Sequence, residues 1–122
     1  MIKILKRSDK ERGIRITIPN SELGEGHIKK ADHNLIVMTD LQKLGHEDWV
    51  AIAAYYAMYH SALAALASIG YKSDNHTATI TALEVFFVKK NLLEKKFLEK
   101  FKQARDFEEE YVQKLRHARR QR

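Results

Sequence analysis

The chain has 122 residues, enough for a single domain with its own hydrophobic core, so it needs neither a disulfide nor a structural metal to fold. It contains no cysteine, which excludes disulfides, zinc ribbons and thiol catalysis. Its formal net charge of +6 favours polyanionic partners such as nucleic acid or nucleotides, and it fits a soluble surface of mixed sign equally well.

The sequence pattern of residues 1–20 predicts extended backbone rather than helix. Isoleucines alternate with polar residues near both ends of the segment. Because a two-stranded hairpin is marginal alone, we expect either a hairpin that lies on the helices or an arm that pairs with a second chain. The segment has no long apolar run and does not resemble a secretory signal, so a cytoplasmic location is the default expectation. The alternating residues are Ile2, Ile4, Ile14, Ile16 and Ile18.

The first helix is predicted to begin after Ser21 as its N-cap and to end at Leu44 and Gly45. Its apolar residues recur at spacings of three and four and form one stripe. The next helix starts almost at once, so the two helices must run antiparallel. The stripe consists of Ile28, Ala31, Leu35, Met38 and either Leu41 or Gln42.

The central stretch, Asp48 to Gly70, is rich in alanine and apolar on nearly every side, which predicts a buried helix with Asp48 as its N-cap. His60 and Ser61 interrupt its cleanest apolar run, which is shorter than the roughly 20 residues of a membrane span. We therefore expect a core helix and no membrane insertion. Its polar members need partners when buried, and they are Tyr55, Tyr56, Tyr59, His60 and Ser61.

Tyr71–Asn75 is predicted to be a polar loop that ends in a cap residue, Asn75. The next window, His76–Lys90, has a locally strand-like start, but over its whole length the apolar residues follow a helical stripe. After a break at Asn91, a long amphipathic helix is predicted, and its end overhangs the bundle. Its stripe includes Leu93, Phe97, Phe101, Ala104, Glu108, Tyr111 and Leu115.

These elements predict an all-α fold, a four-helix up-and-down bundle with a short β-like N-terminal extension. Residues 1–20 form the arm or hairpin, and residues 21–122 form the bundle with a basic C-terminal tail. The apolar faces of the first two helices exceed what one monomer covers, so we expect a homodimer.

The segments AYYAMYHSALAAL and SDNHT, with Gly70 between them and a following helix that contains FF, resemble the HEPN domain. The similarity spans roughly Leu35–Arg105 and is to small stand-alone prokaryotic members. It implies a helical bundle that commonly dimerises and binds nucleotides or RNA. It also implies a role beside a minimal nucleotidyltransferase in a toxin–antitoxin pair as one alternative.

Many HEPN proteins are ribonucleases that use an Arg–x4-6–His motif, in which His acts on the ribose hydroxyl or leaving group and Arg offsets phosphate charge. None of the six histidines of this chain has an arginine at that spacing, and Arg116 directly precedes His117. The interpretation therefore leans against an enzyme. A ribonuclease with a non-standard site, using His60, His76 or Arg105, and a structural homodimeric scaffold remain the alternatives.

The resemblance places the end of the second helix near the start of the third, so His60 and His76 could face one cleft. Tyrosine rings there could stack on a base, and His or Asn could bond its edge or a phosphate. The alternative is that the tyrosines are core or dimer aromatics, His60 a buried histidine and Asn75 only a cap. The predicted nucleotide- or RNA-binding residues are Tyr56, Tyr59, His60, Lys72, Asn75, His76 and Arg105.

Basic residues suggest two further contacts with phosphates, a lysine-rich side of the last helix and the C-terminal tail. Acidic residues interrupt the lysine-rich side of the helix, and the C-terminal tail could equally be a solvated terminus. No HExxH, HxH or HxxxH pair occurs, so we expect no metal and no cofactor. The cations of the tail are Lys114, Arg116, Arg119, Arg120 and Arg122.

Overall fold

The computed structural model describes residues 13–120 of the chain, with the side chain of Arg120 left out. Four helices and a two-stranded antiparallel sheet make up this part, which confirms the predicted helical bundle with a short β extension. In chain order the elements are β1 (Ile14–Ile16), α1 (Ser21–Lys43), α2 (Glu47–Ser68), β2 (Tyr71–Ser73), α3 (His76–Leu83), which continues as a π-helical turn (Glu84–Val88), and α4 (Lys95–Arg120).

Strand β1 pairs with β2, with Ile14 opposite Ser73 and Ile16 opposite Tyr71. The strand itself was predicted, but the loop predicted over Tyr71–Asn75 is wrong, because Tyr71–Ser73 supplies the partner strand. Ile14 is fully buried in a core cluster with Leu66. Burial of this side chain, together with the pairing of β1 with β2 and the hydrogen bond from Thr17 N to Gly70 O, holds the extension against the bundle. Ile2 and Ile4, the other half of the predicted hairpin, lie outside the described residues.

Two of the three predicted caps are displaced by one or two residues. The N-cap of α1 is Asn20 rather than Ser21, and its side chain accepts a hydrogen bond from Leu23 N at 2.9 Å. The N-cap of α2 is His46, and Asp48 lies in the first turn, where its charge suits the helix dipole. Asn75 caps α3 as predicted, since its side chain accepts from Ala78 N at 2.8 Å.

Helices α1 and α2 form a hairpin through a short turn in which Gly45 has a φ of +78°. Helix α1 packs almost entirely on α2. In consequence the apolar stripe predicted for α1 is buried only at Ala31, whereas Ile28 and Leu35 remain 46% and 45% exposed. The stripe is a surface feature of the monomer.

Helix α2 is the centre of the fold, and it is not covered on every side as predicted. One side is open to an apolar groove of about 550 Å³. By length and composition alone α2 could also cross a membrane, but core helices pass the same test, and 44% of its apolar window is buried here. The groove is lined by Leu35 of α1, by small and apolar residues of α2 such as Ala54 and Met58, and by the π turn and the start of α4.

Candidate functional site

Three tyrosines of α2 and the first residue of α3 form one aromatic cluster. The rings of Tyr59 and His76 lie 4.1 Å apart between centroids, and the Tyr55 and Tyr56 rings approach His76 at 5.5 and 6.4 Å. Positions 55, 56 and 59 share one side of a helix because residues four apart are neighbours. The cap at Asn75 begins α3 immediately before His76. We call these four side chains the ring cluster.

Tyr55 holds the imidazole of His76 in place. The Tyr55 hydroxyl is hydrogen-bonded to His76 Nδ1, and Tyr55 is fully buried. Burial is the main cause that raises the pKa of Tyr55, and the negative charge of Glu108 is the second cause. The Tyr55 hydroxyl therefore keeps its proton at neutral pH. The bond occupies Nδ1 and leaves Nε2 of His76 for another partner.

A buried carboxylate is hydrogen-bonded to the ring cluster. Glu108 of α4 is only 8% exposed, and its Oε1 accepts a hydrogen bond of 3.1 Å from the Tyr56 hydroxyl. Burial, followed by the Glu108 charge, raises the pKa of Tyr56, which keeps this hydroxyl a donor. Within residues 13–120 the second carboxylate oxygen, Oε2, has no hydrogen bond or ion pair.

His76 and Glu108 line one cavity of about 590 Å³, a size typical of small-molecule sites. Carboxylates outnumber cations on its walls, so the interior accepts hydrogen bonds and repels a deeply placed phosphate. The lining residues are His76, Asp106, Glu108, Glu109, Glu110, Val112, Gln113 and Arg116.

His60 contacts the ring cluster through Tyr59, at 5.7 Å between centroids, but does not line the cavity. Its Nδ1 lies 3.3 Å from Nδ1 of His27 in α1, and the two rings are stacked at 5.5 Å. Burial is the main cause that lowers the pKa of both histidines, and Lys30 lowers both further. Both are therefore neutral at neutral pH, and His60 links α1 to α2.

The remaining predicted binding residues are dispersed. Asn75 caps α3, and Lys72 lies on the exposed face of β2 opposite Arg15. Arg105 lies 3.2 Å from Asp106, and its charge acts on Tyr55.

The cations of the basic tail also lie at different places. Arg116 reaches the cavity, Lys114 lies 3.4 Å from Glu110, and Arg119 is exposed. Arg120 is the last residue of α4, and Arg122 lies outside the described residues. Of the three tail cations whose side chains the structure describes, Arg116 is the one that lines the cavity.

Glu108 and Tyr55 of this site, and His27 beside His60, were not among the predicted binding residues. Glu108 carried a signal, because an acid within the apolar stripe of an amphipathic helix is a candidate for burial. Tyr55 was recognised as a polar residue that needs a partner, but not as the partner of His76. His27 carried no local signal, since its contact is with a residue 33 positions away.

No group of three or more histidine, aspartate or glutamate side chains is arranged to hold a metal ion within residues 13–120.

Comparison with known proteins gives one match. A family model described as the HEPN domain matches residues 25–119, which span α2, α3 and nearly all of α1 and α4. No curated protein and no solved structure matches the chain significantly. The matched range includes every residue of the ring cluster and of the cavity.

Proposed function

Because this chain belongs to the HEPN domain family, we propose that it is a non-catalytic module that binds a nucleotide or single-stranded RNA at the cavity beside the ring cluster. The observation that supports this most is the position of the His76 ring, which is only partly buried and lines a cavity with hydrogen-bonding walls. The Tyr59 ring lies 4.1 Å from it between centroids. Stacking on aromatic rings and hydrogen bonds to base edges are the usual means of recognising unpaired bases.

The charges of the chain suggest how such a ligand lies. The acidic walls disfavour phosphate inside the cavity, whereas the excess of six positive charges over the whole chain favours a polyanion outside it. We infer that the base enters the cavity and that the phosphates lie at its edge, near Arg116. Exposed lysines on α4 such as Lys100 add to the attraction.

The test is a titration of labelled single-stranded RNA at low and moderate salt, on a gel that also reports strand length. We expect a shifted and uncut RNA, with weaker binding at moderate salt. His76→Ala is expected to weaken binding at least tenfold, because it removes a stacking ring and a hydrogen-bonding nitrogen. His33→Ala, an exposed histidine of α1 away from the cavity, is the matched control. Unshifted RNA at low salt would contradict the proposal.

One observation favours a ribonuclease as a second candidate. His76 has one nitrogen engaged by Tyr55, the other has no hydrogen-bond partner within residues 13–120, and the ring shares the cavity with Arg116. A positioned imidazole and a cation are the groups that phosphodiester cleavage needs. Shortened RNA on the same gel, lost in His76→Ala, would establish this activity and overturn the non-catalytic proposal.

We also propose that the chain is a homodimer that buries the apolar groove of α2 and the stripe of α1. Leu35 and Leu92 both line the groove, and they are 45% and 68% exposed. Side chains that protrude beside a concave surface on the same patch can interlock across a two-fold axis. Sedimentation should show a dimer at micromolar concentration, and Leu35→Lys should shift it towards monomer. Leu115→Lys, on an apolar residue outside the groove, is the control.

Pairing with a minimal nucleotidyltransferase in a toxin–antitoxin system is the finer proposal that family membership supports. Co-purification of the untagged chain with a tagged nucleotidyltransferase encoded beside it would test this pairing. If RNA is neither shifted nor cut while the protein remains a dimer, the results would favour a structural homodimeric scaffold over an RNA-binding module.

A further inference from the structure

Glu108 places an incompletely bonded carboxylate in the wall of the cavity. The side chain is 8% exposed, its Oε1 accepts from the Tyr56 hydroxyl, and its Oε2 has no partner within residues 13–120. Burying a carboxylate without its full set of donors is costly, and a ligand that supplies donors recovers that cost on binding. The carboxylate can accept further hydrogen bonds at both oxygens. It therefore selects a ligand with N–H groups.

The other residues that line the cavity restrict the chemical class of the ligand further. Asp106, Glu109 and Glu110 add negative charge, so a second anion is disfavoured at this place. The ring of His76 lines the same cavity as the carboxylate and offers an aromatic face there, and the Tyr59 ring packs against it. A planar group with two adjacent N–H donors on one edge satisfies both requirements.

We propose that the cavity binds the guanine base of a nucleotide or single-stranded RNA, with Glu108 accepting hydrogen bonds from guanine N1–H and its 2-amino group. This inference rests on the proposed function and names the base at the same site. The guanine ring stacks against His76, and its phosphates extend towards Arg116.

The hydrogen-bonding edges of the other bases explain the expected selectivity. Adenine and cytosine each present an acceptor nitrogen beside their amino group, and that lone pair would face the carboxylate. Uracil presents a single N–H between two carbonyl oxygens. Hypoxanthine, the base of inosine, keeps the N1–H of guanine and lacks the 2-amino group. It can therefore donate only the N1–H hydrogen bond to Glu108. A site built to hydrogen-bond a group rejects an analogue that lacks it.

The experiment measures binding of labelled eight-nucleotide RNAs that consist of uridine with one central guanosine, inosine, adenosine or cytidine. We expect the guanosine RNA to bind at least tenfold more tightly than the adenosine RNA, as a two-bond contact to a base edge allows, and the inosine RNA to lie between them. Equal binding of all four RNAs would overturn the guanine inference and leave the proposed function intact. Failure of all four to bind at low salt would overturn both.

Glu108→Gln tests the assigned residue, because the amide keeps an acceptor for Tyr56 but turns a donor towards the donors of guanine. We expect the preference for guanosine over adenosine to fall below threefold while the uridine background of binding is retained. Glu99→Gln makes the same change of charge on an exposed residue of the same helix, beside Lys102, and should keep the full preference. A circular dichroism melt of both variants shows that they are folded. A guanosine preference that survives Glu108→Gln would remove Glu108 from the contact.

Discussion

Tyr56→Phe is the sharpest test of the buried contact between α2 and α4. The substitution removes only the hydroxyl that donates to Glu108 Oε1 at 3.1 Å and leaves the ring in place. Hydrogen bonds to charged groups contribute roughly 1.5–3 kcal/mol, and Tyr56 itself is only half-buried, so we expect a loss near the lower end, about 1–2 kcal/mol. At about 3–6 °C for each kcal/mol, the midpoint of thermal unfolding should fall by about 3–12 °C.

The assay is unfolding by urea and by heat, both followed by circular dichroism at pH 7 and one fixed protein concentration, since a dimer makes stability depend on concentration. Tyr111→Phe is the control, because the Tyr111 ring packs on Trp49 and Phe107 while its hydroxyl has no hydrogen bond within the described part of the chain. Glu108→Leu, which removes the acceptor of the Tyr56 hydroxyl, and the double variant complete a mutant cycle, with an expected coupling of about 0.5 kcal/mol or more. If Tyr56→Phe costs no more than Tyr111→Phe, or if the two changes at Tyr56 and Glu108 are additive, the contact contributes nothing measurable.

Three further predictions follow from the structure. Because the pKa values of His27 and His60 are lowered from 6.5 in the folded state, the unfolded chain binds protons first as pH falls. The free energy of unfolding, measured in urea, should therefore decline below about pH 6.5, and His60→Gln should reduce that decline. Ile14→Ala should lower the free energy of unfolding by about 2–5 kcal/mol, since the side chain is fully buried in the core beside β2. Arg116→Gln should weaken RNA binding and reduce the slope of log affinity against log salt by about one.

Each of these has a matched control. His33→Gln, an exposed histidine on α1, should leave the pH dependence unchanged. Ile16→Ala, on the same strand as Ile14 but 43% exposed, should cost much less. Arg119→Gln, an exposed arginine outside the cavity, should change the salt slope less than Arg116→Gln does. Equal effects in any variant and its control would contradict the structural reason given for that variant.

The helices could be predicted because each depends on spacing within one window of sequence. The stripe of α4 and the alanine-rich pattern of α2 are local properties, and Asn75 signals the start of α3 by its side-chain chemistry. The predicted caps at Ser21 and Asp48 were wrong by one or two positions, because several neighbouring polar residues can serve as a cap and only one does. The loop predicted at Tyr71–Ser73 was wrong because a three-residue edge strand has too short a pattern to recognise.

The candidate site was predicted in part. Tyr56, Tyr59 and His76 meet, as the resemblance to HEPN domains implied, whereas Lys72 lies on the exposed face of the small sheet and His60 is bonded to His27. The apolar stripe of α1 likewise could not be assigned a packing partner from the sequence. Periodicity identifies an apolar face but does not say whether a neighbour in the same chain covers it.

The amino-acid sequence alone determined the helical class, the family, the absence of cysteine chemistry and the absence of the Arg–x4-6–His motif, because all of these are properties of residue type and local spacing. Tertiary structure decided which side chains meet. Tyr56 and Glu108 are 52 positions apart, and Tyr55 and His76 are 21 positions apart. Such contacts depend on how each helix is rotated and shifted along its neighbour, and packing of the whole core sets those two quantities.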